Sequence, residues 1–243
     1  MQTPSLYRNG LVALLMAVPV SVLVSTVAAG ETVSVGADAV SRYVWRGTDV
    51  GESLSIQPTV SVATGGFEFG SWASYGAIPE SAGVNEHDLW IGYTFEKKSS
   101  GSFSVGVTDY YFPAPGGAGC FNFDGNGAGA HWIEPYGSYT GPEEFPITLY
   151  GAMFVHNDPD NSLYLETSYP VALDGAELGL VLGAVAGESG FCGTYGFALV
   201  NVGIAASRSI KLNDSIELPV SVSYILNPNT ERTFLVFGLG VSL

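Results

Sequence analysis

The stretch TFLVFGLGVSL, residues 233–243, decides the fold. Leu235, Phe237, Leu239, Val241 and Leu243 are apolar, and Val236, Gly238, Gly240 and Ser242 between them are mostly small. Successive side chains on a strand point to opposite faces, so this segment has one greasy face and one slim face. In water such a strand leaves an edge that invites aggregation. With lipid on one side and a lumen on the other, it is a wall strand of a membrane β-barrel.

The composition agrees with that reading. Hydrophobic residues make up 47% and charged residues 13% of the 243, where soluble domains carry about 25% charged residues. Past the N-terminus no run approaches the roughly 20 apolar residues of a membrane helix. The formal net charge of −15 argues against nucleic acid as a partner, because phosphate binding needs a basic surface. Residues 1–29 read as a cleaved secretory signal: Arg8, an apolar core from Leu11 to Val24, and small residues Val27, Ala28 and Ala29 before Gly30. A membrane anchor is the rival reading of that segment. The barrel then comprises residues 30–243.

Twelve strand-like segments follow, at about 32–45, 53–64, 67–77, 87–97, 102–112, 130–140, 145–155, 162–172, 176–187, 197–210, 215–226 and 232–243. The expectation is an all-β, transmembrane, antiparallel up-and-down barrel of about twelve strands, with ten or fourteen as alternatives. Connections after even-numbered segments are tight and rich in turn residues, such as Gly65-Gly66 and Asp174-Gly175. Those after odd-numbered segments are mostly longer, Pro113 to Gly129 being the longest. That alternation fits short periplasmic turns and longer outer loops. Cys120 and Cys192 both fall in outer loops, where export permits a disulfide between them. Tyr43, Trp45, Tyr110, Tyr111, Phe112, Trp132, Tyr136 and Tyr139 lie near segment ends, as interfacial girdle residues would.

The opening Ser41-Arg42-Tyr43-Val44-Trp45-Arg46-Gly47, followed by Ser55-Ile56-Gln57-Pro58, resembles the start of the TorF-type family of bacterial outer-membrane porins. In that family an aromatic-rich first strand ends in Arg-Gly, and a Gln follows about ten residues later. Tyr43, Trp45, Arg46, Gly47 and Gln57 fill those positions. Proline follows Gln57 here instead of preceding it, and the chain ends in Leu243 where such barrels more often end in phenylalanine. The resemblance implies an outer-membrane barrel and a pore, with no particular solute.

Asp38, Arg42 and Arg46 are spaced by four, which on one continuous strand puts all three on one face at steps of about 13 Å. Charge facing lipid costs about 2–4 kcal/mol for Arg or Lys at the midplane, so these groups should face the lumen. Gln57, Glu68, Asp88, Glu166 and Glu217 are the other pore-lining candidates. Either they select solutes at a constriction, or arginines and carboxylates pair across a narrow barrel and plug it. Arg46-Gly47 also has the character of a turn.

Enzymatic signals are thin. His87, His131 and His156 are the only histidines, and none is closely followed by a serine on the same strand as in outer-membrane phospholipases. No catalytic residue, metal site or cofactor is expected; Asp124-Gly125-Asn126-Gly127 lacks later calcium ligands, with Ala128 and Pro135 where they belong. The function expected is passive diffusion of small polar solutes or ions through the outer membrane, with outer-membrane lipid as neighbour and a homo-oligomer compatible with the pattern. The alternatives are a non-conducting barrel that binds a ligand or partner through its outer loops, a barrel lipid hydrolase, and a secreted carbohydrate-binding sandwich.

Overall fold

The computed structural model describes residues 31–78, 85–97, 99–113, 119–211 and 217–242, together with the backbone of Leu23–Thr26. Twelve long strands form one antiparallel sheet: β1 (Glu31–Val40), β2 (Ser55–Thr64), β3 (Phe67–Gly76), β4 (Glu86–Lys97), β5 (Gly101–Tyr111), β6 (His131–Thr140), β7 (Thr148–Met153), β8 (Leu163–Leu173), β9 (Ala176–Val185), β10 (Ala198–Lys211), β11 (Glu217–Asn227) and β12 (Arg232–Ser242). Each pairs with its chain neighbours. Gly238 to Ser242 of β12 pair with Val40 to Gly36 of β1, which closes the sheet into a barrel. Closure removes the free edges that the greasy strands would otherwise expose.

Alternation sets the two faces. On β12, Leu235, Phe237, Leu239 and Val241 are exposed outward, whereas Gly238 and Gly240 are buried inward. Outward apolar side chains recur around the barrel, among them Val60, Ile91, Val105, Leu165, Leu180 and Ile204. A continuous greasy exterior of this kind is what a bilayer covers. At the end with the short turns it is rimmed by Phe67, Phe69, Phe95 and Phe103, linked by ring contacts through Tyr93.

Glycines on the inner face let rings lie against the wall. Gly92 and Gly106 are pressed by the Tyr136 ring so closely that an added Cβ at either would collide with it.

The first expected strand is the main correction. A strand over 32–45 does not form; β1 stops at Val40. Ser41 ties the chain to β12, its N–H donating to the Phe237 carbonyl at 2.8 Å and its hydroxyl accepting from the Phe237 N–H at 3.0 Å. The chain then enters a small hairpin, Tyr43–Trp45 against Thr48–Gly51. Its two central residues, Arg46 and Gly47, have φ of 49° and 73°. Two positive φ values in succession define the type I′ turn that suits tight hairpins. Asp38, Arg42 and Arg46 therefore do not share one strand face.

The expected signal segment lies outside the described residues except for Leu23–Thr26, a short strand that pairs with β1 through Leu23–Ser34 and Thr26–Thr32. The connection between β10 and β11, expected to be tight, and the terminal Leu243 also lie outside them.

Candidate functional site: a hairpin across the lumen

The hairpin Tyr43–Gly51 folds into the barrel. Tyr43 and Trp45, expected as girdle residues, are almost fully buried with Tyr110 and Phe154, and Trp72, Phe112, Trp132 and Phe191 pack around them. The physical reason is the I′ turn. It sends the chain back on itself beside β1, so the aromatic face finds other rings in the bore instead of lipid. Trp45 meets Tyr110 at 5.4 Å, Phe191 at 5.1 Å and Phe154 at 6.4 Å between ring centres.

Arg46 stands at the hairpin tip. Its Nη1 and Nη2 donate to the two carboxylate oxygens of Glu134 on β6 at 2.7 and 2.8 Å. The Tyr110 hydroxyl donates to the same carboxylate at 2.9 Å, and Nη2 reaches the Tyr150 hydroxyl at 3.5 Å. The guanidinium lies over the rings of Trp45 at 4.1 Å and Tyr164 at 4.3 Å. Paired forks of this kind combine charge with fixed geometry, and stacking on aromatic faces adds about 0.5–2 kcal/mol per face. Tyr164 in turn donates to Glu166 at 2.5 Å, and Asn201 Nδ2 donates to the Tyr164 hydroxyl at 3.2 Å. Glu134, which anchors the whole arrangement, carried no signal in the sequence. Only its inward parity beside Tyr136 could have marked it.

Gly47 docks the opposite side of the tip. Its carbonyl accepts from Asn227 Nδ2 of β11 at 3.0 Å. A Cβ at Gly47 would run into the backbone carbonyl of Val200, just behind β10's inner face. The hairpin thus spans the bore, from the β5–β8 wall to the β10–β11 wall. Beside it a cavity of about 60 Å³ remains, bounded by Arg42, Val44 and Arg46 and by the slim wall of Gly203, Ala205 and Ser221. A cavity of that size with Arg42, Arg46, Asn201 and Ser221 on its lining has room and polar partners for water.

The other candidates are placed as follows. Asp38, Gln57 and Asp88 are buried and face inward from β1, β2 and β4. Glu166 faces inward under Tyr164. Glu68 and Glu217 sit on inward parity near the short-turn end and are exposed there. Arg42 leaves the wall with the hairpin, is partly exposed, and pairs with Asp49. The two arginines are thus each neutralised by a carboxylate of the same lumen.

Comparison with known proteins bears on the fold. The model of Gcw_chp, described as a bacterial protein family of unknown function, matches residues 25–191, more than half of the chain. The chain belongs to that family. No curated protein matches this Gcw_chp chain. Its fold is similar to that of a solved structure titled "KdgM porin", with a TM-score of 0.50 and 13% identity over 86% of this chain and 97% of that one. The likeness is one of fold: a porin-like twelve-stranded barrel. The TorF-type label gains no support from these matches.

Cys120 and Cys192 of this Gcw_chp barrel, between which a disulfide was possible, stand as free thiols in the structure. Cys192 points into the inner cluster of Tyr150, Tyr164, Val185 and Val200. Burial raises its thiol pKa. Cys120 lies exposed in the loop after β5. A bulky maleimide should therefore label native protein once, and Cys120→Ser should abolish that labelling. Equal labelling of both residues, or of neither before reduction, would contradict this arrangement.

Among the described residues, no histidine hydrogen bond to a serine or cysteine side chain is seen. His131 contacts Asp109 and the Cys120 carbonyl, and His87 lies between the rings of Tyr75 and Tyr111. Among the described residues no group of three His, Cys, Asp or Glu side chains could hold a metal ion.

Proposed function

We propose that this barrel is a narrow passive channel of the bacterial outer membrane, open to water, ions and very small polar solutes. The supporting observation is the hairpin. It crosses the bore and docks at its tip on β10 and β11, yet leaves a small cavity between Arg42 and Arg46 on one side and Gly203, Ala205 and Ser221 on the other. A passage so tight discriminates first by size. Arg42 and Arg46 are matched by Asp49 and Glu134, so inward carboxylates such as Glu68, Glu166 and Glu217 set the remaining sign of the lumen. The porin-like fold supports the outer-membrane location and a function without a chemical step.

Purified protein in a planar bilayer should give small, discrete conductance steps with a preference for cations. Replacing Glu68 and Glu166 together by glutamine should move the zero-current potential in a salt gradient toward the unselective value. An anion preference in the unaltered protein would refute the assignment of sign. A second reading, a non-conducting barrel that works through its outer loops, draws on how completely the hairpin fills the bore. A silent bilayer with correctly folded protein would favour it.

A further inference from the structure

The segment Gly119–Ala130 after β5 folds down over the outside of the wall, not over the mouth of the bore. His131 lies on the outward parity of β6, with Ile133 and Tyr139, yet it is only 6% exposed. The loop covers it. Phe123 stacks on the imidazole at 3.9 Å and Tyr111 at 4.7 Å. His131 Nδ1 contacts the Asp109 carboxylate at 2.9 Å, and Nε2 contacts the Cys120 carbonyl at 3.0 Å. The Ala130 N–H donates to the Asn122 carbonyl at 2.9 Å, which closes the flap on itself. The flap then presents Phe121, 89% exposed, and Phe123, 51% exposed, away from the barrel axis.

Its height on the barrel identifies what those rings meet. His87 and Tyr111 pair across β4 and β5 at the level of His131, and Phe95 and Phe103 pair near the opposite end. Eight residues separate His87 from Phe95, about 26 Å along a strand at about 3.3 Å per residue. With a tilt of about 40° that is about 20 Å of height, close to the apolar band of about 25 Å between the two interfaces. Just below the flap the wall is greasy: Leu89, directly across from Asp109, is 61% exposed. The aromatic flap is continuous with the lipid-covered face.

We infer that the flap is an interfacial anchor, with Phe121 and Phe123 seated in the outer leaflet at the boundary of acyl chains and headgroups, and with His131 as the pin that holds the loop there. The inference rests on the outer-membrane reading. It assigns a lipid-binding role to one of the outer loops that the sequence offered as a surface for a ligand or partner.

Intrinsic fluorescence can test it. Trp45, Trp72, Trp90 and Trp132 all lie toward the lumen side, so Phe121→Trp adds an outward indole. In vesicles of phosphatidylcholine brominated along its acyl chains, the added emission should be mostly lost, while aqueous acrylamide should quench it weakly. His131→Ala should free the flap and reverse that pattern. Leu89→Trp serves as the belt reference. If Leu89→Trp is quenched by brominated lipid and Phe121→Trp is quenched only by acrylamide, the anchor is refuted and the membrane reading stands. If neither responds to brominated lipid, the membrane reading itself fails. Emission from Phe121→Trp that is shielded from both quenchers means a second copy of the chain covers the flap, and lipid anchoring is wrong.

Discussion

Replacing Arg46 by alanine should open the bore. Arg46 and Glu134 form a bidentate pair, both almost wholly buried. Removing one partner leaves a carboxylate without its counter-charge in a poorly hydrated site, which costs about 3–5 kcal/mol. The cheapest escape is for the hairpin to leave the wall and admit water to Glu134. Single-channel conductance should rise several-fold, and the Tyr43–Gly51 segment should become sensitive to added protease. Glu134→Ala should behave alike. The double replacement Arg46→Ala with Glu134→Ala should lose less stability than the two single losses summed, because neither charge is then stranded. Unchanged conductance in all three proteins would show that the hairpin is not the constriction.

The second large effect concerns a single hydrogen atom. Gly47→Ala should also displace the hairpin, because the new Cβ would collide with the Val200 carbonyl on a wall that cannot retreat. The φ of 73° adds about 1–2 kcal/mol of left-handed strain for a residue with a Cβ. Gly65→Ala is the control. Gly65 also has a positive φ, 56°, but an added Cβ there meets nothing within 4 Å. Gly65→Ala should therefore cost stability without altering conductance, and Gly47→Ala should do both. Equal conductance in the two variants would mean that docking at Val200 does not hold the hairpin in place.

Much of the wall could be read from residue order. Strands such as Asp88 to Phe95 or Leu178 to Leu182 announce themselves because lipid and lumen impose opposite chemistry on alternate positions. The same parity put Glu68, Asp88, Glu166 and Glu217 on the inner face. It failed at Tyr43 to Gly51. There the alternation continues, but the chain has left the sheet, and an aromatic facing lipid is indistinguishable by type from one facing other aromatics. The Arg46-Gly47 pair was the available clue to a turn, and it gave no direction for the hairpin that follows.

Residue order by itself indicated an antiparallel barrel of about twelve strands with a greasy exterior, because period-two patterning is local and recurs along most of the strands. Only the tertiary structure decided that Arg46 binds Glu134, that Gly47 abuts Val200, and that the loop around Phe121 lies outside the wall. Those contacts join residues far apart in the chain, and their energies come from desolvated charge pairing and steric fit, which no spacing of neighbouring residues encodes.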